Sequence, residues 1–449
     1  MDHQYASDPT KGAWEVLARG TGQCANLGLA LLLLPVARTS IIAEAFGLAW
    51  EQLLWVHIWV GYATLLLFVV HALCWYKVYA ALHIFPEDVL EIPMYYPTNG
   101  QPKSNGRCSD DWTVPLATIT TFLALLFLGV LSHHQVRRNH FELFYYAHHF
   151  FVAVYAVALW HAASCWYLVI GSLVHAVADR MVRLHDGGRR WRVVALEPRF
   201  DNVVHVELDL RDGAFAFEAG QYCFLRVGRI SDLEWHPFTL SGAPSDRRIQ
   251  FDIKAMGAEG TFASKLLRLA EDRVDAKTLD VAIEGPYGCA PTYAHYDSVL
   301  LVAGGIGVTP CHSIFRELHI RHDGPAVTLL WVARHRRCFE LFGATLRAAA
   351  GDDAFRLALY VDGEKPRDAW GEADVHQGIP FTHGRPDVKR AVADLAACSS
   401  PYVFVCGPPG LSAAAAAFIP GRVEGEGSVH APPTAPATLC CPESRDAHP

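Results

Sequence analysis

The chain has 449 residues, of which 51% are hydrophobic and only 19% are charged, a balance too apolar for an ordinary soluble enzyme. The formal net charge of −8, with no basic stripe to neutralise phosphates, argues against a nucleic-acid partner. The apolar excess is local, because long apolar runs occupy residues 23–182, whereas residues 186–412 have the mixed pattern of a globular α/β region.

The first half of the chain is predicted to cross a membrane five times. Five stretches approach the ~20 apolar residues that a bilayer requires. They are residues 23–40, 53–78, 113–132, 144–163 and 165–182. Arginines follow the third and the last stretch, whereas acidic residues outnumber basic ones in the link 79–112. The positive-inside rule therefore predicts that the C-terminal half lies in the cytoplasm.

Histidines in these stretches are the first chemical signal, because an ionisable ring is costly in hydrocarbon and indicates a bound partner. His57 and His71 are 14 residues apart. On one helix this spacing separates them by about 21 Å and returns them to within about 40° of one face. Such a spacing suits two stacked haems, each of which needs axial ligands from facing helices. For a single histidine, an interhelical hydrogen bond is an equally good explanation.

A second pair is less regular. His148 and His161 are 13 residues apart, which places their rings about 140° apart on an ideal helix. The neighbour His149 would lie about 120° from His161, so geometry cannot choose between the two. Pairing by depth joins His57 with His148 near the cytoplasm and His71 with His161 near the outer face.

The second half begins with strand-like segments separated by turns, which predict a small antiparallel barrel over residues 191–290. After residue 297, an apolar strand at 299–303 leads into a glycine-rich turn and then a helix from Ser313 to Ile320. Glycines at 304, 305 and 307 let a dinucleotide approach the backbone, and Pro310 suits a first helical turn. Later strands at 328–332, 355–360 and 402–405 precede Cys406-Gly407-Pro408.

The segment RRNHFELFYYAHH, residues 137–149, with His161 after it, resembles the haem-bearing region of the NADPH oxidase and ferric reductase superfamily. In that family the first histidine of the doublet is the ligand. The resemblance therefore favours His148 over His149 and supplies the pair that helix geometry does not. Residues 17–38 are similar to the family's second membrane helix, so we expect the first of its usual six helices to be absent from this sequence. The resemblance covers about residues 17–412.

The resemblance also implies cofactor sites in the second half. EWHPFTLS, residues 234–241, is similar to the family's flavin motif, in which Phe238 and Thr239 border the isoalloxazine and His236 approaches the nucleotide side of FAD. GTFA, residues 260–263, resembles a phosphate-binding turn, where a helix start favours an anion. The implied FAD residues are His236, Pro237, Phe238, Thr239, Ser241, Gly260 and Thr261.

The glycine-rich turn and the later strands resemble a nicotinamide module of the ferredoxin-reductase type, a doubly wound sheet with its ligand at the strand ends. The implied NADPH residues are Gly304, Gly305, Gly307, Thr309, Pro310, Arg334, Cys406, Gly407 and Pro408. Family members place an arginine on the adenosine 2′-phosphate, so Arg334 favours NADPH over NADH. A solvated basic loop is the alternative for residues 334–337.

The whole pattern predicts a multi-domain chain. An N-terminal segment, 1–22, precedes an α-helical transmembrane haem domain, 23–185. An antiparallel β-barrel FAD domain, 186–296, an α/β NADPH domain, 297–418, and a disordered tail, 419–449, follow.

The implied activity is a transmembrane oxidoreductase that passes electrons from cytosolic NADPH through FAD and two b-type haems to an acceptor across the membrane. No catalytic side chain is required, because cofactors carry the chemistry. The expected partners are membrane lipid, here the plasma membrane, and a ferric chelate or O₂ as acceptor, whereas protein partners are not indicated.

The acceptor is left open by the residues. The last two stretches meet within residues 162–165, so the link between them is very short, which favours an open haem edge and a ferric chelate. Arg19 instead matches an arginine of superoxide-generating oxidases, while Trp75 stands where some of them have a histidine. A ferric-chelate reductase is preferred and an NADPH oxidase is the alternative. An inactive membrane scaffold is a third hypothesis, because the first helix and a terminal aromatic residue over the flavin are not found.

Overall fold

The structure is a computed structural model. It describes residues 9–38, 50–81, 116–187, 189–210, 215–256, 259–288, 292–322, 324–364, 373–395, 398–416 and 438–440. The chain divides into two compact units, Met1–Val182 and Arg183–Pro449.

Every secondary-structure element described in the first unit is an α-helix. Leucine, alanine and valine dominate its long helices. The first helix ends shortly before Pro35, because proline has no N–H to continue the ladder of helical hydrogen bonds. The helices are α1 Pro9–Leu33, α2 Trp50–Ala81, α3 Leu116–Leu131, α4 His134–Asn139, α5 Phe141–His148, α6 Phe151–His161 and α7 Ala163–Gly187.

Three stretches in the described part of the chain are long and apolar enough to cross a membrane: Leu53–Val78, Leu143–His161 and Ser164–His185. They correspond to three of the five predicted spans. The apolar helix Ile119–Leu131 is shorter than a full span. The predicted span 23–40 overlaps the second half of α1, which ends at Leu33, before Pro35, and residues 39–40 lie outside the described part of the chain.

The outer faces of these helices are apolar. Trp59, Leu66, Phe127 and Tyr167 are all more than half exposed. Large exposed apolar surfaces are unusual on a soluble protein and are typical of helices that face lipid. Inside the unit, Leu29, Tyr155 and Val169 belong to a small buried cluster, and the Tyr155 hydroxyl donates to the carbonyl of Leu29 at 2.7 Å.

The second unit begins with the predicted antiparallel barrel, which is confirmed. It consists of two three-stranded antiparallel sheets, ordered β1-β2-β5 and β4-β3-β6, around one apolar core. Alternating valine, isoleucine and phenylalanine residues on the strands fill that core. The elements are β1 Val193–Arg199, β2 Val203–Asp209, β3 Tyr222–Val227, β4 His236–Thr239, β5 Arg248–Lys254, α8 Phe262–Glu271 and β6 Val281–Tyr287.

A doubly wound α/β sheet follows, as predicted. Its order is β10-β11-β9-β8-β7-β12-β13, with only β10 antiparallel to its neighbour, and apolar clusters cover both faces. The strands are β7 Ser298–Gly304, β8 Ala326–Ala333, β9 Phe355–Val361, β10 Ala373–His376, β11 Ile379–His383, β12 Pro401–Cys406 and β13 Thr438–Cys440. The helices are α9 Val308–Arg321, α10 Gly343–Ala349, α11 Val388–Asp394 and α12 Pro409–Ala416.

The edge strand β13 pairs in parallel with β12 and lies inside the segment 419–449 that the sequence predicts to be disordered. Disorder is therefore wrong for these three residues. The other residues of that segment lie outside the described part of the chain.

Candidate functional site

Two histidine pairs lie in the helical unit. The rings of His57 and His148 have centroids 6.1 Å apart, and those of His71 and His161 are 6.5 Å apart. The rings of each pair are steeply crossed, at 67° and 82°. These are the two pairs that depth predicts. Because α2 is one continuous helix, the 14 residues between His57 and His71 keep the two pairs about 21 Å apart along its axis.

A break in the helix explains how His148 and His161 both reach α2. Helix α5 ends at His148, the chain turns at residues 149–150, and α6 begins at Phe151. The break removes the 140° offset that an ideal helix would impose. His149 instead is exposed, with its Nδ1 2.8 Å from the carbonyl of Tyr145 on its own helix. The structure therefore places His148, and not His149, against His57.

In three of the four histidines, Nδ1 has a hydrogen-bonding partner. Nδ1 of His57 lies 3.1 Å from the carbonyl of Leu32, and Nδ1 of His71 lies 2.8 Å from that of Ala18. A carbonyl only accepts, so in each neutral ring Nδ1 carries the proton and Nε2 is left as the metal-binding atom. Nδ1 of His148 lies 3.2 Å from the Ser132 hydroxyl. Nδ1 of His161 is buried without a partner among the described residues.

These distances fit an axial haem pair. Two ring nitrogens that each bind one metal at ~2.0–2.1 Å place their ring centroids about 6.3 Å apart. The two pairs lie within about 0.2 Å of that value. Hydrogen bonds from Nδ1 to the backbone are the usual support for a metal-bound histidine. The four residues can therefore hold two haem groups, one at each pair.

Helix α1 closely approaches the second pair. A Cβ built on Gly22 would lie 2.8 Å from both Cε1 and Nδ1 of His71, so only glycine leaves room for this ring. One turn along α2, Trp75 contacts His71 edge-on at 6.4 Å, and Arg19 lies 5.7 Å above the Trp75 ring. The Arg19 guanidinium also pairs with Glu15 at 2.7 Å.

The flavin motif forms a stack of rings on the barrel. His236 and Phe238 lie on β4, and each is nearly parallel to Phe262, at centroid distances of 4.4 and 6.0 Å. Phe262 starts α8, and Thr261 caps that helix by accepting a hydrogen bond from the N–H of Ser264. The predicted motif 260–263 is thus brought beside the predicted motif 234–241. Phe262 is absent from the predicted site residues, although it stands inside the motif GTFA.

The pKa of His236 is shifted by its surroundings. Burial lowers its pKa most strongly, the neighbouring Glu234 carboxylate raises it, and Lys265 lowers it further. The net direction is down, so the ring is neutral at physiological pH and presents an apolar face to the stack. An aromatic and neutral surface of this kind suits a planar ligand.

Ser241 points into the protein. It is fully buried, and its hydroxyl donates to Asp252 at 2.6 Å. Asp252 also contacts Nδ1 of His205 at 3.0 Å. Burial lowers the pKa of His205, but the hydrogen bond and charge of Asp252 outweigh it, so the net shift is upward. Ser241 is thus placed to fix the flavin motif from within the protein, whereas His236 and Phe238 are half-buried beside Phe262.

Helix α9 is tied to the end of the flavin motif. Nδ1 of the buried His312 donates to the carbonyl of Ser241 at 2.7 Å, and Nε2 accepts from the Thr345 hydroxyl at 2.9 Å. Burial lowers the pKa of His312 to about 4, so this ring is neutral. One residue on, the Ser313 hydroxyl donates to the carbonyl of Gly242 at 2.6 Å.

Charged side chains continue this junction along α9. The Arg316 guanidinium donates to both oxygens of Asp246 at 2.6–2.9 Å. Glu317 accepts from both the N–H and the hydroxyl of Ser245 at 3.0 Å. Residues of two successive turns of α9 therefore hold the segment 241–246.

The two predicted dinucleotide turns pack against each other. The turn after β7 and the turn after β12 are so close that a Cβ on Gly307 would lie 2.6 Å from the carbonyl of Cys406, and one on Gly407 2.9 Å from the nitrogen of Gly304. β7 separates β8 from β12 in the sheet, so the strand order reverses here. In a doubly wound sheet the ligand binds at such a reversal.

Gly305 is the open point of this site. It has φ +59, and a Cβ there would meet nothing within 4 Å. The next helical turn is closed, because Thr309 and Pro310 are buried within α9. At the second turn Cys406 is buried, whereas Pro408 is exposed.

Arg334 shares a cavity with Gly305. Both line it together with Ile306 and Lys254. Arg334 is exposed and has no ion pair among the described residues. The neighbouring arginines are engaged, because Arg336 binds Glu364 at 2.7 Å and Arg337 lies 4.4 Å above the ring of Phe200. Burial tends to raise the pKa of Glu364, but its bonds to Arg336 prevail and lower it.

These features define a class of protein in which a helical membrane unit is joined to a reductase unit made of a flavin-type barrel and a dinucleotide-binding sheet. Three family models match the chain in this order. They are the ferric reductase like transmembrane component at residues 21–159, an FAD-binding domain at 188–291 and the ferric reductase NAD-binding domain at 296–417.

The chain is also similar to individual known proteins. Ferric reduction oxidase 7, chloroplastic, of Arabidopsis thaliana is 26% identical over 345 residues, which cover 72% of this chain and 44% of the relative. A superoxide-generating NADPH oxidase heavy chain of Dictyostelium discoideum is 28% identical over 67% of this chain and 65% of its own length. Phthalate dioxygenase reductase is similar in structure, with a TM-score of 0.40 and 19% identity over 56% of this chain and 67% of its own.

The chain belongs to the ferric reductase and NADPH oxidase superfamily, as the three successive domain matches and the named relatives establish. It spans less than half of the length of the ferric reduction oxidases that it matches.

Proposed function

We propose that this chain is a transmembrane ferric-chelate reductase that uses cytosolic NADPH. The observation that carries the proposal is the pair of histidine couples at haem-axial distance, in the same chain as FAD- and NAD-binding domains. When bound, NADPH and FAD would supply hydride-transfer chemistry, and two b-type haems would supply one-electron transfer across the membrane. The protein's part is to bind, orient and separate these groups.

Each residue set has a distinct part in the proposal. His57 with His148 would hold one haem and His71 with His161 the other, and the carbonyls of Leu32 and Ala18 would fix two of the rings. The stacked rings on β4 and α8 would hold the flavin, with Pro237, Thr239 and Gly260 beside them. The Gly305 turn and Pro408 would border the nicotinamide nucleotide, with Arg334 on its 2′-phosphate.

The arrangement in the membrane is also part of the proposal. We place the flavin and nucleotide domains in the cytoplasm and the membrane helices in the plasma membrane, because arginines flank the predicted cytoplasmic links. The domain limits follow the sequence, with the haem domain at 23–185, the FAD domain at 186–296 and the NADPH domain at 297–418.

Oxygen is the second candidate acceptor, and one observation favours it. Arg19 lies over Trp75, which contacts His71, so a cation stands near the second histidine pair. That cation is already paired with Glu15, which reduces the field it offers to a small anion such as superoxide. Ferric chelates need no such cation, and several relatives of the chain are ferric reduction oxidases.

Purified full-length chain in liposomes separates these activities. NADPH and FAD are supplied on the reductase side, a ferric chelate is enclosed on the other, and superoxide dismutase accompanies the chelate. A ferric reductase reduces the enclosed chelate at the same rate with and without dismutase. If dismutase abolishes the reduction, superoxide is the primary product and the oxidase function replaces ours. A folded preparation that lacks both haem absorption and bound flavin identifies an inactive scaffold.

A further inference from the structure

A cluster of metal-ligating side chains lies outside the sites described so far, at the far end of α9 from the glycine turn. His319 is in the last turn of α9, His322 follows as its left-handed C-cap with φ 53, and Asp352 lies in the link between α10 and β9. Among the described residues, these three are the group of His, Cys, Asp or Glu side chains whose ligand atoms all fall within 4.8 Å of one another.

The distances within the cluster suit a shared ion better than hydrogen bonds. Oδ2 of Asp352 is 3.8 Å from Nε2 of His319 and 3.7 Å from Nδ1 of His322. Both separations exceed the ~2.7–3.2 Å of an N–H···O hydrogen bond. Two ligand atoms at ~2.0–2.1 Å from a tetrahedral metal are about 3.4 Å apart. A movement of a few tenths of an ångström would therefore bring Oδ2 of Asp352 to this distance from each of the two nitrogens, which themselves lie within 4.8 Å of each other.

The ligands are held in place by other parts of the domain. Oδ1 of Asp352 accepts the N–H of Ala354 at 3.0 Å, which leaves Oδ2 turned toward the histidines. The His319 ring lies parallel to Phe315 and edge-on to Phe355, at centroid distances of 6.4 and 4.9 Å. His322 also contacts Phe355, at 6.0 Å. Such supporting contacts orient metal ligands before the metal arrives.

The alternative is a carboxylate that neutralises histidines at a helix C-terminus, where positive charge is favoured. That arrangement would draw Asp352 into a direct hydrogen bond with a protonated ring, and neither ring makes one. Two protonated rings with centroids 5.0 Å apart would also repel each other. Neutral rings around a cation avoid both difficulties.

We propose that His319, His322 and Asp352 bind one divalent transition-metal ion, Zn²⁺ under cellular conditions, with water completing the coordination. Two imidazole nitrogens and one carboxylate oxygen form a donor set of the borderline type that Zn²⁺ accepts, and Cu²⁺ or Ni²⁺ would bind at least as well in vitro. The site is separate from the proposed haem ligands. Its ion would fasten the C-terminal end of α9 to the link that precedes β9.

The test compares zinc uptake by full-length chain in detergent after removal of bound metal. Zinc is titrated against a chromogenic chelator for the wild type, His322→Ala, Asp352→Asn and the control His295→Ala, which removes an exposed histidine outside the cluster. We expect the wild type and the control to bind one more zinc per chain than either site variant. Zinc should also raise the thermal midpoint of the first two proteins and leave that of the site variants unchanged.

Flavin content and the zinc-free midpoint report whether each variant is folded. Asp352→Asn preserves the size of the side chain and, through its Oδ1, the bond from Ala354, so it removes charge with little change of shape. Equal zinc stoichiometry in the wild type and in a His322→Ala/Asp352→Asn double variant would overturn the proposal. So would a wild-type midpoint that zinc does not move. Neither result bears on haem or flavin content, so the proposed electron-transfer function is tested independently.

Discussion

The close approach of α1 to His71 leads to a specific expectation for Gly22→Ala. The added methyl group would lie 2.8 Å from two ring atoms of His71, about 0.6 Å inside the shortest ordinary contact of 3.4 Å. The ring cannot swing freely, because its Nδ1 is bonded to the carbonyl of Ala18 on the same helix α1. The substitution therefore displaces the nitrogen that we propose as a haem ligand.

The displacement is large for a metal site, where ligand distances tolerate only about 0.2 Å. Forcing one extra methyl group into a packed interior costs about 1–3 kcal/mol. If that cost falls on the haem-bound state, haem affinity at the pair His71 and His161 drops roughly 5- to 150-fold, at about 1.4 kcal/mol per tenfold. The pair His57 and His148 makes no contact with Gly22 and should keep its haem.

The assay is haem content per chain, with visible spectra and a redox titration to distinguish the two haems. Gly20→Ala is the matched control, because a Cβ at Gly20 on the same helix meets nothing within 4 Å. We expect two haems per chain in the wild type and in Gly20→Ala, and a weakened or missing second haem in Gly22→Ala. If Gly22→Ala binds two haems as tightly as the wild type does and with the same redox potentials, the reasoning is wrong.

Three further substitutions test other parts of the site. Arg334→Ala should raise the KM for NADPH roughly 10- to 100-fold, the effect of a lost charge-assisted hydrogen bond, and should leave the KM for NADH unchanged. The control Arg337→Ala should change the KM of either dinucleotide little. If steady-state kinetics show that Arg334→Ala raises both KM values equally, the phosphate role is refuted. His148→Ala should remove one haem and His149→Ala none, because the His149 ring is bonded to its own helix; haem loss from both variants would contradict this. Because the pKa of His312 is lowered to about 4, the unfolded state binds its proton first, and stability falls as the pH falls below the unfolded pKa of 6.5. This loss reaches about 2 kcal/mol at pH 5 and should disappear in His312→Gln, so identical changes in urea unfolding between pH 7 and pH 5 for the two proteins would rule it out.

Local sequence patterns were sufficient to predict the strands, turns and helices of the reductase unit. Val299 and its neighbours, followed by three glycines and a helix, predict the strand, turn and helix that the structure contains, because short-range apolar patterning and turn chemistry decide these elements. In the structure, the turns after β7 and β12 meet because both lie where the strand order of the sheet reverses.

Other features could not be predicted because they depend on contacts between distant segments. No proline or glycine marks the break after His148, so an unbroken helix was the natural expectation. The buried position of Ser241 depends on its hydrogen bonds with Asp252 and His312, and His312 is far away in the sequence. The tight fit of Gly22 against His71 requires the packing of α1 on α2, which no local pattern of residues specifies.

The bonds from α9 to segment 241–246 affect how the protein could be divided for study. Cutting the chain near residue 296, between the barrel and the sheet, would leave His312, Arg316 and Glu317 on one piece and their partners on the other. Buried polar and charged groups that lose partners destabilise a protein by several kcal/mol in total. Separately expressed flavin and nucleotide fragments should therefore aggregate, whereas a fragment that keeps both together retains the whole junction.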